Sequence, residues 1–300
     1  NNPNIFGPRP EINAFDLNGN LKWTYSIPSN ANGAMPRVED SPSNGWFRHT
    51  YLGSKVYLAA QDSLRDYVLA LDVNTGESSE IDIHSIDRAE ITGLTTKNGR
   101  LFVSTGLFYE QDWGGYIYSF DAQSGQSLWT YPNKNENSTI LKLDERLDWA
   151  NSTEYDKIAV PRVIEASNNP NSNIIYIGSY KKTIAIDSLS GEKVWDYTSE
   201  SDGDVRHITS HYSSEFGDRV FIRVSSSQPE IPIKIHALNG LTGEVLWTHT
   251  PTESDWGGTG QIEVTSNWGG KVFFINRETR KLYALDINDG RIIWTYQFQK

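Results

Sequence analysis

Three hundred residues carry 27 Lys and Arg against 38 Asp and Glu, a net charge of −11. That balance argues against nonspecific binding to nucleic acid or to an anionic membrane, since either polyanion would repel the chain. No cysteine is present, which excludes disulfides, thiolate metal sites and a cysteine nucleophile, and no apolar run reaches the length of a membrane span.

The chain opens on Asn1-Asn2-Pro3 rather than Met, and the expectation is a processed or excised chain from which a secretory signal has been removed. The first element is a hairpin, Glu11 to Ile27, built on Ala14-Phe15-Asp16, Gly19 and Trp23. A similar spacing, A-x-D-x-x-x-G-x-x-x-W with one residue more between Asp and Gly, recurs five more times, once without the Trp. It returns at Ala70-Leu71-Asp72 with Gly76, Ser119-Phe120-Asp121 with Gly125 and Trp129, and Ala185-Ile186-Asp187 with Gly191 and Trp195. The last copies are Ala237-Leu238-Asn239 with Gly243 and Trp247, and Ala284-Leu285-Asp286 with Gly290 and Trp294. Successive Asp/Asn positions lie 56, 49, 66, 52 and 47 residues apart. A period near 50 made of short β runs marks a radial repeat.

Each copy predicts a strand, a turn and a returning strand. The Asp accepts backbone amides within the turn and the Gly supplies the positive φ that closes it. The small Ala or Ser two residues before the Asp leaves room for the Trp, whose indole N–H needs a partner when buried. Trp and the Tyr two residues on share one strand face in four copies; Trp247/His249 departs mildly, and the second copy has Ser79 where a Trp would fall. Upstream of five copies lies a second strand pair. Lys55 to Leu58, Arg100 to Val103, Ile174 to Ile177, Arg219 to Ile222 and Lys271 to Phe274 are each preceded by an extended segment. Those segments are Arg48–Tyr51, Ile91–Thr95, Val160–Ile164, Arg206–Thr209 and Gln261–Thr265. Helical periodicity is nearly absent. The predicted architecture is an all-β propeller of about six four-stranded antiparallel blades in one domain over residues 1–300. Its first blade is incomplete, or is completed by another segment or another chain.

The A-x-D-x-x-T-G-x-x-x-W pattern resembles the tryptophan-docking repeat of pyrroloquinoline quinone (PQQ)-type β-propellers. Ala70 to Gly76 and Ala284 to Trp294 carry the resemblance most closely, and it extends over about residues 12–298. It implies that Trp23, Trp129, Trp195, Trp247 and Trp294 tie neighbouring blades together, with ligands at the axial funnel. Two branches of the family matter. Quinoprotein alcohol dehydrogenases hold PQQ with calcium or a lanthanide and carry an adjacent pair of cysteines in much longer chains. Non-catalytic members, such as the outer-membrane-protein assembly lipoprotein of Gram-negative bacteria, use the disc to bind proteins. A shared fold hosts both kinds of function.

Candidate sites follow from the predicted inner strands. Arg48 with His49, and Arg206 with His207, open two of them, and Arg162 opens a third. They could form an anion-binding funnel, since Arg presents a rigid donor fork, or balance surface acids. Asp112-Trp113-Gly114-Gly115, Asp255-Trp256-Gly257-Gly258 and Asn267-Trp268-Gly269-Gly270 form a small second repeat. It reads first as tight turns under a Trp lid; a planar ligand, if one binds, would stack on Trp113, Trp256 and Trp268. His207 and His211 do not converge on a strand, so no metal site is expected. The Asp-x-Asn turns lack the distal Glu of a calcium loop. Asn137-Ser138-Thr139 and Asn151-Ser152-Thr153 match the glycosylation acceptor pattern and fall in a polar insertion, Pro132 to Lys157.

The resulting expectation is a secreted, cell-surface or periplasmic binding or assembly module. It would contact a protein partner, or further copies of itself, through disc faces and the loops Ser26–Gly45, Pro132–Lys157 and Ser225–Ile233. No cofactor is expected. The alternatives are a PQQ- and calcium-dependent alcohol or sugar dehydrogenase and a structural subunit of a surface assembly or filament.

Overall fold

A computed structural model describes residues 11–26, 37–38, 49–61, 66–83, 90–106, 115–132, 163–179, 182–199, 204–225, 233–251, 262–276 and 279–299. These residues form β-strands and turns. The motif hairpin comes first as a two-stranded sheet, β1 (Glu11–Phe15) with β2 (Leu21–Ser26). The second sheet contains β3 (Arg37–Val38), β4 (His49–Leu52), β5 (Lys55–Gln61), β6 (Asp66–Asp72) and β7 (Ser78–Asp82). Both β3 and β4 pair with β5, one along each half, so two short strands do the work of one inner strand.

Four sheets of four antiparallel strands follow. The third has β8 (Glu90–Lys97), β9 (Arg100–Gly106), β10 (Ile117–Asp121) and β11 (Ser127–Tyr131). The fourth has β12 (Val163–Ala166), β13 (Ile174–Gly178), β14 (Lys182–Asp187) and β15 (Lys193–Thr198). The fifth has β16 (Asp204–Ser213), β17 (Gly217–Ser225), β18 (Lys234–Asn239) and β19 (Val245–His249). The sixth has β20 (Ile262–Trp268), β21 (Lys271–Asn276), β22 (Lys281–Asp286) and β23 (Ile292–Gln297). Strand order within each sheet is chain order, as short hairpin connections require.

Sheets also follow one another in chain order, with inner strands side by side: β4 against β8, β8 against β12, β12 against β16 and β16 against β20. Sheet faces buried between neighbours form successive hydrophobic clusters, such as Phe221, Trp247, Val272, Phe274, Tyr283 and Leu285 between the fifth and sixth. This is β-propeller architecture; among the described residues the ring is not closed and the first blade has two strands. The predicted inner segments hold in place with shifted ends. Strand Val163–Ala166 runs past the predicted end at Ile164, and Arg206–Thr209 lengthens to Asp204–Ser213.

Candidate functional site

The motif builds a junction between neighbouring blades. In every copy the small residue lies opposite the Trp position across the hairpin: Ala14 with Trp23, Ser119 with Trp129, Ala185 with Trp195, Ala237 with Trp247, Ala284 with Trp294 and Ala70 with Ser79. The indole leans over that small residue and reaches the next docking turn along the chain. Trp23 Nε1 donates to Val73 O at 3.0 Å, Trp129 to Ser188 O at 3.2 Å, Trp195 to Gly240 O at 3.0 Å and Trp247 to Ile287 O at 2.9 Å. Each acceptor is the residue after the motif Asp or Asn. The rings lie on Gly76, Gly191, Gly243 and Gly290, where an added Cβ would stand 2.5–2.9 Å from the nearest indole carbon. The second copy, without a Trp, places Ile81 over Gly125 instead.

The motif carboxylates are committed to their own turns. Asp16 accepts the amides of Asn18 and Asn20 at 2.8 Å each, Asp187 those of Leu189 and Ser190 at 2.8 Å each, and Asn239 those of Leu241 and Thr242. The Ser54 hydroxyl, followed by the turn amides, holds Asp72 below the usual carboxylate range, and the amide and hydroxyl of Ser124 do the same for Asp121. Depressed carboxylates stabilise the fold above their unfolded pKa and lose that contribution as pH falls through the folded value.

A second latch went unread in the sequence. In three blades the second-strand residue paired with the motif Asp or Asn reaches the next turn: Lys55 Nζ donates to Gln123 O at 3.2 Å, and Arg100 Nη1 to Ser188 O and Leu189 O at 2.9 and 2.8 Å. Arg219 likewise donates to Ile287 O and Asn288 Oδ1. The basic residue at the start of four of the five runs was the available signal.

Polar side chains on the inner strands also stitch blades. Thr96 donates to Tyr51 O at 2.8 Å and meets Thr50 at 3.3 Å, while Ser210 donates to Ala166 O at 2.8 Å. Lys97, its ammonium pushed below the usual range by burial, donates to Ser167 O and Asn169 O at 2.7 Å each. Buried Asp218 accepts from Ser167 and Asn169 at 3.2 Å and from Tyr176 at 3.4 Å. Burial raises the Tyr176 phenol well above its ordinary range, so it remains a donor. His236 is neutral, pushed down to about 4 by burial and then by Lys234, with Nδ1 2.8 Å from Thr248 Oγ1.

Glu165 on β12 stands apart. Burial alone pushes its carboxyl up to about 7. Below the unfolded value of 4.5 both states are protonated and the residue is neutral to stability. As pH rises from there the unfolded chain ionises first, so stability falls until the folded carboxyl ionises near 7. Glu165→Gln is expected to raise stability at pH 8 by about 2 kcal/mol and leave it unchanged at pH 4. Urea unfolding at both pH values checks this.

Of the residues proposed from sequence for ligand binding, Arg48, Arg162, Trp113 and Trp256 lie outside the described residues, as do the acceptor sites Asn137 and Asn151. His49 opens β4 with its side chain exposed. Arg206 and His207 fall in β16 at a register shift, Arg206 being the extra residue, and Trp268 ends β20 just before the Gly269-Gly270 turn. Of Arg206, His207 and Trp268 the backbone alone is described. Calcium takes six to eight oxygens, and Glu165 is the one carboxylate of described side-chain position on the inner strands. No group of three or more His, Asp or Glu among the described residues could hold a metal ion.

Comparison with known proteins agrees on the fold class. The family described as outer membrane protein assembly factor BamB matches residues 233–300. The quinoprotein ethanol dehydrogenase of Pseudomonas aeruginosa is 26% identical over 142 residues, 42% of this chain and 21% of that protein. The chain spans well under half the length of the curated relatives it matches. Among solved structures, the Dos1 propeller has a TM-score of 0.59 at 11% identity, covering 95% of this chain and 64% of that one. Saccharomyces cerevisiae Sqt1 has a TM-score of 0.57 at 10% identity, with coverage of 95% and 67%. At such identities these likenesses concern the fold. The class is thus the β-propeller, and the repeats are similar to those of PQQ-type propellers.

Proposed function

We propose that residues 1–300 form one PQQ-like propeller domain that acts outside the cytoplasm as a non-catalytic protein-binding or assembly scaffold. One observation carries this reading: among the described residues, motif carboxylates, strand cations and inner-strand hydroxyls are engaged in cohesion. Motif carboxylates hold turns, Lys55, Arg100 and Arg219 hold the next blade, and inner-strand hydroxyls join neighbours. A rigid scaffold of this kind leaves recognition to its loops. The match to an assembly-factor family over residues 233–300 supports the same reading. No helix among the described residues is long and apolar enough to cross a membrane.

The second reading, a PQQ- and calcium-dependent dehydrogenase of an alcohol or sugar, is favoured by the identity to quinoprotein ethanol dehydrogenase. It would use Trp113, Trp256 and Trp268 against the quinone and Arg48, Arg162 and Arg206 on carboxylates. The dehydrogenase branch carries adjacent cysteines, and this chain has none. The test is to incubate the protein with PQQ and Ca²⁺, pass it over a desalting column and record its absorbance and its dye-linked oxidation of ethanol. The scaffold reading predicts no retained quinone and no dye reduction. Retained chromophore with turnover would overturn it.

A further inference from the structure

Five of the six motif hairpins are bulged at the same place. Their registers skip the residue before the Trp, so Lys22, Leu128, Val194, Leu246 and Ile293 are each an extra residue in the outer strand. A bulge re-aims the side chain beside it and twists the strand away from a flat edge. Those strands thus swing the indole onto the next blade and blunt their own outer edge in one step. The second blade does neither. Ser79 stands at the Trp position, and β7 pairs with β6 without a shift, from Leu71↔Ser78 to Tyr67↔Asp82. Among the described residues β7 is the last strand of its sheet, and this blade has the first hairpin on one side and the third sheet on the other.

One bond sets the phase of the β6–β7 ladder. Asp72 N donates to Glu77 O at 2.9 Å, and hydrogen-bonded pairs alternate from there. Ala70 with Ser79 and Val68 with Ile81 exchange both bonds, so the N–H and C=O of Ser78, Glu80 and Asp82 point away from β6. Side chains sort the same way. Ile81 is buried over Gly125 of the third blade, while Ser78, Glu80 and Asp82 are exposed on the opposite face. The hairpin 66–83 carries Asp66, Asp72, Glu77, Glu80 and Asp82 and no Lys or Arg.

We propose that the outer edge of β7 is a docking site for an extended, basic segment of a partner protein, which joins the second blade as an antiparallel outermost strand. Main-chain bonds to Ser78, Glu80 and Asp82 hold the segment, and Lys or Arg directly opposite Glu80 and Asp82 selects it. The residues between those cations point to the other face, beside Ile81, and suit Val or Ile. A second copy of this chain is the poorer occupant, because β7 against β7 sets carboxylate opposite carboxylate. The proposal rests on the scaffold reading and gives it a partner chemistry, at a blade edge rather than at the loops.

Fluorescence anisotropy of a capped, dye-labelled peptide of alternating Lys and Val, titrated with the whole protein, tests the proposal. Saturable binding is expected. With lysines opposite Glu80 and Asp82, the lysine N–H groups face β7 and the valine N–H groups face away. N-methylation of every Lys is therefore expected to abolish binding, and N-methylation of every Val to spare it. Glu80→Pro removes one outward donor and leaves the ladder to β6 whole, since the Glu80 N–H takes no part in it. It is expected to weaken binding about 10-fold at an unchanged unfolding midpoint. Glu80→Gln with Asp82→Asn is expected to weaken it about 5-fold. No binding to the wild-type protein, or binding indifferent to lysine N-methylation, would overturn the proposal even if Glu80→Pro failed to fold. Self-association that Glu80→Pro abolishes would overturn it too, by making a second copy the occupant. Absent peptide binding without retained PQQ would sink this edge alone, whereas retained PQQ with turnover would sink the scaffold reading itself.

Discussion

Gly290→Val is expected to cost about 2–5 kcal/mol of stability. Two penalties coincide at this position. Gly290 has φ +72°, in the left-handed region, where an L side chain costs about 1–2 kcal/mol. A Cβ would also stand 2.5 Å from Trp247 Cε3 and 2.8 Å from Cδ2, inside a junction that cannot yield because Phe221, Phe274 and Tyr283 pack the indole from behind. Overpacking of that kind adds about 1–3 kcal/mol. Gly19→Val is the matched control: its φ is +84° but the space above it is open, so only the backbone penalty applies. Denaturant midpoints of the two variants should therefore separate clearly.

Trp247→Ala is expected to cost about 3–5 kcal/mol. The indole is 7% exposed, lies 5.8 Å from the Phe221 ring and joins the fifth blade to the sixth. Truncation leaves a cavity bounded by a rigid sheet on each side. The carbonyl of Ile287 is not orphaned by the change, because Arg219 also donates to it. The loss is thus one of packing more than of hydrogen bonding. Trp294→Ala, at the equivalent position with no blade over it, is expected to cost under about 1 kcal/mol in dilute solution. Thermal unfolding of the pair reads the value of a covered against an uncovered junction.

The repeat was legible because its parts act locally. An Asp that caps its own turn, a Gly that closes it and a Trp opposite a small residue all lie within eleven positions, so their spacing survives in the chain. Ser79 was visible as a departure, but its replacement by Ile81 was not, since that contact is made with Gly125 of the next blade. Lys55, Arg100 and Arg219 were aligned by sequence, yet their acceptors are backbone carbonyls, which any residue supplies. Asp218 and Tyr176 met for the same reason of distance: they are 42 positions apart. The inner strand of the second blade is split between β3 and β4, a division that a pattern of single runs does not carry.

The central claim is that the indole-on-glycine contact is what joins the blades, and a double-mutant cycle on Trp247 and Gly290 tests it most directly. Alanine at 247 opens the space that a Cβ at 290 needs. In the Trp247→Ala background, Gly290→Val should therefore cost only its backbone penalty of about 1–2 kcal/mol, leaving the cycle strongly non-additive. Costs that simply add would show that ring and glycine do not meet, and would contradict the account.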